Sequence, residues 1–345
     1  MMQLLPFPPQ EASKQLIREL PTKRMQSVLE KRFGLGGKPA ATLEAIGKEY
    51  KITRERVRQI ERDALVHIKK ADPVQKMDAL HQALEDHLKF HGGVMEEGHL
   101  FTTLVDERHR PHLDFLLQAK SAFARMPEDG RSWTRWAINR HIAGEVEKIL
   151  QGIVERLEER KTPLAKEELV ALLRGSIKGA MAIEAGDHVI ESYLHTSKLI
   201  RKNPYGEYGV VSWASVSPSG VKDKAHMALL KAGQPLHFRE VATAIDRAGW
   251  SKKKAHPQTV HNELIKDNRF ILVGRGLYAL REWGYESGSV REVLISLLGR
   301  AKKPMSSEEM VKLVMEKRMV KPQTVLLNLQ NKNLFRRTGE GYTLA

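Results

Sequence analysis

Residues 53–65 have the sequence TRERVRQIERDAL, directly after RFGLGGKPAATLEAIGKEYKI at residues 32–52, and this stretch decides the fold of the N-terminal part. Thr53 is a residue type that caps helix N-termini. At about 100° per residue, an arc of roughly 140° holds Arg54, Glu55, Arg58 and Gln59. A separate arc holds the apolar residues Val57, Ile60, Ala64 and Ile68. The pattern predicts a helix with one polar face and one apolar face.

The polar face carries the side chains that suit the major groove of DNA. Arg forks onto guanine O6 and N7, Gln onto adenine N6 and N7, and Glu accepts from cytosine N4. Upstream, residues 42–50 predict a short helix whose apolar face holds Leu43, Ile46 and Tyr50. Lys51 and Ile52 then make a tight turn. Two short helices joined by such a turn are typical of a helix-turn-helix.

Residues 20–70 resemble region 4 of bacterial primary sigma factors, the sigma-70 family, which reads the −35 element of promoters. The resemblance lies in RFGL at residues 32–35, TLEAIG at 42–47 and TRERVRQIE at 53–61. It implies base contacts from Arg54, Glu55, Arg58 and Gln59. It also implies that Thr53 and Arg56 lie nearer the phosphates, and we expect phosphate contacts from Thr42 and Arg62 as well. The alternative for this charged face is an ordinary solvated helix surface.

The composition limits the class of protein. The chain has 345 residues, of which 41% are hydrophobic, so its length predicts two to four domains with real cores. It contains no run of 18 apolar residues, and residues 1–10 lack the basic start and apolar segment of a secretory signal. We therefore expect a cytoplasmic, nucleoid-associated protein. The absence of cysteine excludes disulfides, thiolate zinc ligands and thiol nucleophiles.

The positive charge is concentrated at the two ends of the chain. The formal net charge is +15 and the pI is about 9.8. Residues 1–70, 71–150, 151–220, 221–288 and 289–345 carry +7, −3, 0, +5 and +6. Because phosphate contact is the sequence-independent part of DNA affinity, we expect the terminal segments to bind DNA. The middle is then available for protein partners.

An internal repeat marks the C-terminal part. HPQTVHNELIKDNRF at residues 256–270 and KPQTVLLNLQNKNLF at 321–335 are identical at seven of fifteen positions, with a constant offset of 65 residues. Each copy follows a proline-led amphipathic segment, at residues 235–245 and 304–314. Each precedes a glycine turn and a β-like segment, at residues 273–283 and 338–344.

Looser versions of this order occur at residues 94–136 and 163–213. Three helices followed by a hairpin with a glycine tip are the layout of a winged helix. We therefore predict a mainly α fold, with a helix-turn-helix followed by tandem winged helices with small hairpin wings. The expected domains are residues 1–72, 73–140, 141–216, 221–286 and 287–345.

Residues 221–284 also resemble a family, the HARE-type helix-turn-helix, a winged module shared by the RNA polymerase delta subunit and some chromatin and restriction-associated proteins. The resemblance lies in PLHFREVATAI, PQTVHNELIKDNRF and VGRGLYALREW. In this basic part we expect phosphate contacts from exposed cations: Lys252, Lys253, Lys254, Arg275, Arg336 and Arg337. The alternative is that these are solvated loop charges.

Several other features favour structural interpretations. GLGGKP at residues 34–39 lacks the frame of a phosphate loop and is interpreted as a connection between helices. Solvated or capping imidazoles are favoured over a metal site for His87, His91, His99, His109 and His112. Core or wing packing is favoured for Trp133, Trp136, Tyr278 and Tyr342.

No catalytic arrangement is evident: the sequence has no GxSxG, no HExxH and no phosphate loop. We predict a non-enzymatic, sequence-specific, sigma factor-like transcription protein without cofactor or metal, whose partners are double-stranded promoter-like DNA and RNA polymerase. The alternatives are a DNA-binding regulator or repressor without polymerase contact, a winged-helix protein-interaction scaffold and a restriction-linked nuclease.

Overall fold

A computed structural model describes residues 5–6, 8–70, 75–119, 123–181 and 185–345. The chain forms two compact units, residues 1–201 and 202–345. The expected domain boundary at residues 72 and 73 lies outside the described residues, as do residues 1–4 and 7 of the N-terminal segment 1–10, which lacks the features of a secretory signal. Within the described residues, no helix has the length and apolar character needed to cross a bilayer.

The first unit begins with the predicted helix-turn-helix. Its helices are α1 (Pro9–Arg18), α2 (Lys23–Phe33), α3 (Leu43–Tyr50) and α4 (Arg54–Lys70). In the turn between α3 and α4, Lys51 adopts the left-handed conformation with φ of 53°. Gly47 allows the turn to approach α3, because a Cβ atom there would lie 2.7 Å from the carbonyl oxygen of Ile52. A small core joins α2, α3 and α4 through Val28, Ile46, Val57 and Ile60.

A winged helix follows. Its elements are α5 (Gln75–Phe90), β1 (Val94–Glu96), α6 (Glu97–Leu104), α7 (Arg110–Ala119), β2 (Ala124–Met126) and β3 (Arg135–Ala137). The strands form an antiparallel sheet in the order β1, β3, β2. Trp136 on the central strand is buried, and its indole Nε1 donates a hydrogen bond to Glu97 at 2.9 Å. This is the core position that the sequence favoured for that aromatic residue.

These two modules share one hydrophobic core. Leu16 and Ile17 of α1 and Ala64 and Ile68 of α4 belong to the same buried cluster as Leu113 of α7. The cluster continues through α5 and α6 of the winged helix. The helix-turn-helix is therefore fixed to the first winged helix by a continuous apolar interior.

The rest of the first unit repeats the order of three helices before a strand. Its elements are α8 (Arg140–Arg160), α9 (Lys166–Met181), α10 (Asp187–Thr196) and β4 (Ile200–Lys202). Asn139 caps α8 by accepting a hydrogen bond from the Ile142 amide at 2.9 Å. The second unit begins within β4, and β5 (Tyr208–Val210) lies in that unit.

The second unit contains two winged helices of the same topology. The first has α11 (Val221–Ala232), β6 (Leu236–His237), α12 (Phe238–Ala248), α13 (Pro257–Lys266), β7 (Phe270–Gly274) and β8 (Leu277–Leu280). The second has α14 (Val290–Ala301), α15 (Ser307–Lys317), α16 (Pro322–Leu329), β9 (Phe335–Thr338) and β10 (Gly341–Leu344).

The sheets of these two modules correspond strand for strand. The first is ordered β6, β8, β7. In the second, β10 pairs with β9, and Met305 forms a bridge with Tyr342 on the other side of β10, in the place that β6 occupies. The two copies of the PQTV sequence open α13 and α16. The mainly α fold with small hairpin wings, predicted from the sequence, is confirmed.

Candidate nucleic-acid interface

The helix α4 has two halves with different surroundings. Its N-terminal half contributes Val57 and Ile60 to the small core of the helix-turn-helix, and its other side chains there face outward. Its C-terminal half contributes Ala64 and Ile68 to the core shared with the winged helix. The outward face of the first turns is therefore presented on a helix that is anchored at its far end.

The four predicted base-contacting side chains lie together on this face. Arg54, Glu55 and Arg58 are exposed and Gln59 is half-buried. The guanidinium of Arg58 donates to both carboxylate oxygens of Glu55, with the shortest contact at 2.6 Å. Arg56 donates to the side-chain oxygen of Gln59 at 3.0 Å. Four of the groups that would bind DNA bases or phosphates are thus held by a neighbour on the same helix.

The pairing changes the acidity of both partners. The hydrogen bond from Arg58 lowers the pKa of the Glu55 carboxyl, and the same contact raises the pKa of the Arg58 guanidinium. Both side chains are more than half exposed, so water screens the attraction. Breaking this ion pair therefore costs little free energy, and each side chain can contact a base or phosphate instead.

The predicted phosphate contacts of the helix-turn-helix are all on the surface: Thr42, Thr53, Arg56 and Arg62. The two threonines are also N-caps. The hydroxyl of Thr42 accepts from the Ala45 amide at 3.1 Å, and that of Thr53 accepts from the Arg56 amide at 3.2 Å. Each hydroxyl keeps its own proton to donate to a phosphate oxygen. Lys51, exposed in the turn, is a further cation that the sequence pattern did not single out.

The predicted cations of the second unit are exposed as well. Lys252, Lys253 and Lys254 lie in the connection between α12 and α13. Arg275 is at the tip of the β7–β8 wing, between Gly274 and Gly276. Arg336 and Arg337 lie on β9. They belong to two different modules of this unit, and the helix-turn-helix lies in the other unit.

The first winged helix has no free third helix. No residue of α7 is exposed, and the helix packs against α1, α2 and α4. His112 of α7 and Ser13 of α1 form a buried hydrogen bond of 2.6 Å between Nδ1 and Oγ. The helix that winged-helix proteins commonly insert into DNA is here an internal packing element.

The wing of the first winged helix is also in contact with another module, at residues 196–198. The Trp133 amide donates to the carbonyl of Thr196 at 2.9 Å, and the Lys198 amide donates to that of Arg131 at 2.8 Å. The ammonium of Lys198 lies 4.6 Å from the centre of the Trp133 ring. Trp133 is thus a wing aromatic, as the sequence favoured, although 41% of it remains exposed.

Helix α10, the third helix of the next module, also packs against the module that precedes it. Ser192 donates to the carbonyl of Val94 at 2.8 Å, and the Tyr193 hydroxyl donates to the carbonyl of Gly92 at 2.7 Å. Burial raises the pKa of Tyr193 to about 12. Gly92 is required here, because a Cβ atom would lie 2.5 Å from Val189. Both central third helices therefore pack on the module that precedes them.

Most of the histidines that the sequence grouped meet at this contact. His87, His91 and His99 pack with His188 and His195 of α10, with ring centres 4.3 to 6.1 Å apart between neighbours. Burial lowers the pKa of His87 to about 4 and also lowers the pKa of His91 and His99. The favoured picture of solvated or capping rings is wrong for these three, because α10 packs over them, and for His112, which is buried in α7. In the described part of the chain, no three His, Asp or Glu side chains are arranged to hold a metal ion.

The tyrosines of the C-terminal wings have packing roles. Tyr278 is buried and its ring meets that of His261 on α13, with centres 5.8 Å apart. Tyr342 packs partly buried against the core of the last module.

The GLGGKP segment connects α2 and α3, and Gly34 ends α2 in the left-handed conformation with φ of 72°.

Comparison with known proteins identifies two domains. Residues 17–70 match the family "Sigma-70, region 4". Residues 220–283 match the HARE-HTH family, a helix-turn-helix domain named after ASXL and restriction endonuclease proteins among others. Both resemblances seen in the sequence are confirmed. Both families are DNA-binding domains and neither is an enzymatic family.

Several similar proteins are sigma factors. The chain is 57% identical over 44 residues to RNA polymerase sigma factor SigA of Clostridium acetobutylicum, covering 13% of this chain and 12% of that protein. It is 46% identical over 57 residues to SigA of Lactococcus lactis subsp. cremoris, covering 16% of each. It is 44% identical over 48 residues to the principal sigma factor HrdD of Streptomyces viridifaciens, covering 14% of each. The chain thus spans at most about a sixth of these relatives.

Proposed function

We propose that this protein recognises a promoter-like DNA sequence by inserting the first turns of α4 into the major groove, and that it acts in transcription initiation or its regulation. The observation that carries the proposal is the exposed polar face of α4, anchored by Ala64 and Ile68 in a core. A recognition helix held rigidly at one end positions its side chains without a further ordering cost.

Base recognition proceeds by exchange of partners on the helix surface. Arg58 leaves Glu55 and forks onto guanine, which frees the Glu55 carboxylate to accept from a cytosine amino group. Gln59 leaves Arg56 and binds adenine, while Arg56 turns to a phosphate. Arg54 supplies a further base contact. Thr42, Thr53 and Arg62 bind the backbone and fix the register of the helix in the groove.

The second unit adds affinity without sequence preference. Lys252, Lys253, Lys254, Arg275, Arg336 and Arg337 release counterions from DNA phosphates. Because they belong to the same chain, binding of the helix-turn-helix raises their effective concentration at neighbouring DNA. The basic ends therefore act together on one DNA molecule.

RNA polymerase is the second proposed partner. The support is that the similar proteins are named RNA polymerase sigma factors. The apolar side of the helix-turn-helix is already buried against the first winged helix, so we assign the polymerase contact to the exposed surface of the neutral to acidic central modules. We propose no catalytic activity, and a location on the nucleoid DNA of the cytoplasm.

Two experiments test the proposal. A selection of bound duplexes from a random pool identifies the preferred site, and Arg58→Ala is then expected to weaken binding to it by about 1 to 3 kcal/mol and to relax preference at one position. Lys178→Ala, which removes an exposed charge from α9, is the matched control and leaves selection unchanged. If Arg58→Ala selects the same sequences as the wild type, α4 is not the recognition helix.

Polymerase binding is tested separately. The wild-type protein is expected to retain purified RNA polymerase core on a resin in the absence of DNA. If polymerase is not retained, the protein is instead a DNA-binding regulator without polymerase contact.

A further inference from the structure

The two winged helices of the second unit are joined through the wing of the first. The Met319 amide donates to the carbonyl of Val273 on β7 at 3.2 Å, and the Glu286 amide donates to that of Lys317 at 3.2 Å. Arg318 is 6% exposed, and its guanidinium donates to the carbonyl of Glu286 at 3.1 Å. The turn between α15 and α16 therefore rests directly against the β7–β8 wing.

The contact is close enough to fix the relative position of the backbones. A Cβ atom on Gly274 would lie 3.1 Å from the Met319 carbonyl oxygen. Apolar residues of the same sheet, Ile271, Val273 and Ala279, are buried in a separate small cluster. With 3.8 Å between successive Cα atoms, the Cα atoms of Arg275 and Lys321 are at most about 18 Å apart.

Two cations lie on the surface of this joint, one from each module. Arg275 is exposed at the wing tip, and Lys321 is exposed as the N-cap residue of α16. Within residues 202–345, all of which the structure describes, neither side chain has an ion-pair or hydrogen-bond partner. Exposed Gln323 and Thr324 follow Lys321 on α16. Helices α15 and α16 correspond to the two helices of a helix-turn-helix, in which the N-terminal end of the second helix faces the DNA.

We propose that Arg275 and Lys321 bind the backbone of one duplex together, so that the last two winged helices contact DNA as a single platform. The inference rests on the proposed function, because it takes DNA as the partner. Double-stranded DNA fits this surface because it offers closely spaced phosphates, and the segments that carry the two cations have net charges of +5 and +6. Lys321 is a contact that neither the sequence pattern nor the family resemblance singled out.

The first test measures salt dependence with the full-length protein and a random-sequence duplex. Arg275→Ala and Lys321→Ala are each expected to lower the slope of log Kd against log salt by about 0.9, and the double variant by about 1.8. Lys222→Ala, an exposed charge on α11, is the control and leaves the slope unchanged. An unchanged slope for Lys321→Ala overturns the proposal, since the wing would then act alone.

The second test measures position on DNA. Because the chain has no cysteine, Arg275→Cys and Lys321→Cys each provide a single attachment point for an iron chelate that cleaves nearby DNA. On the duplex selected by the wild type, both variants are expected to cut within about 5 base pairs of each other, given the limit of about 18 Å and about 3.4 Å per base pair. Cuts more than one helical turn apart, or no cuts from position 321, overturn the platform.

The outcomes separate this inference from the proposed function. If Arg58→Ala relaxes selection while Lys321→Ala changes nothing, base recognition by α4 stands and the platform is wrong. If Arg58→Ala has no effect while both platform variants lower the slope, the platform stands and the assignment of α4 is wrong. A wild-type slope near zero would mean that no cation of the chain binds DNA phosphate, and it would overturn the platform together with the phosphate contacts proposed for the helix-turn-helix.

Discussion

Acidification from pH 7.5 to 5.0 is expected to loosen the contact of helix α10 with the first winged helix through His87. Its imidazole lies on α5 with Nε2 3.1 Å from the hydroxyl of Thr103, and the His91 ring is 4.7 Å away between centres. Burial, followed by the neighbouring imidazoles of His91 and His99, lowers the pKa of His87 to about 4. The carboxylate of Glu191 faces His91 and His99 from α10.

The sign and size of the effect follow from this shift. An unfolded chain protonates His87 near pH 6.5, whereas the folded chain does so near pH 4. The folded state therefore has its full stability above pH 6.5 and loses it as the pH falls toward 4, because the unfolded state binds the proton first. The loss from this residue is about 2 kcal/mol at pH 5.0, and its limit below pH 4 is about 3 kcal/mol.

Hydrogen exchange resolves the effect locally, which is necessary because a chain of several modules need not unfold in one step. Corrected for intrinsic rates, the opening constant of the α5 and α10 amides is expected to rise about 30-fold more between pH 7.5 and 5.0 in the wild type than in His87→Gln. The glutamine keeps a polar group near Thr103 but does not titrate. If both proteins show the same pH dependence, His87 is not the group responsible.

Three further changes test the packing. Ile68→Ala is expected to cost about 2 to 5 kcal/mol and to raise exchange in α1 and α7 together, because both helices belong to the core that this side chain fills; an effect confined to α4 argues against one shared core. Asn139→Ala removes the cap of α8 and is expected to cost about 1 kcal/mol by chemical denaturation, with Asn139→Ser recovering most of it. Gly276→Ala forces a side chain into a backbone with φ of 68°, 2.5 Å from His237, and is expected to increase exchange in β7 and β8, whereas Gly339→Ala, in open space, is expected to be silent.

Local patterns predicted helix α4 and the repeat well. The apolar arc of Val57, Ile60, Ala64 and Ile68 is buried, and the opposite face is exposed. The PQTV copies open equivalent helices because a proline at the first helical position is compatible with helix geometry in any tertiary setting. These features depend on residues within one or two turns of each other, so a single sequence contains all the information they require.

The contacts between modules depend on residues far apart in the chain and could not be predicted in this way. Ser192 bonds to the carbonyl of Val94, and Ser13 bonds to His112, across nearly a hundred residues in each case. The histidine cluster likewise needs α10 to fold over α5. One local signal was available for α7, because RPHLDFLLQA has apolar residues on most sides, which is typical of a helix buried all round.

Two independent properties separate the central modules from the terminal ones. Residues 71–150 and 151–220 have net charges of −3 and 0, and their third helices, α7 and α10, are packed against preceding modules. Residues 221–288 have a net charge of +5, and α13 leaves Gln258, Thr259 and Asn262 exposed near its N-terminal end. A buried third helix cannot enter a DNA groove, so phosphate-binding cations around it would not add to DNA affinity. Around an exposed third helix, such cations would add to it. Coincidence of charge with exposure, module by module, therefore supports the proposal that DNA is bound at the two ends and that the central modules are available to a protein partner.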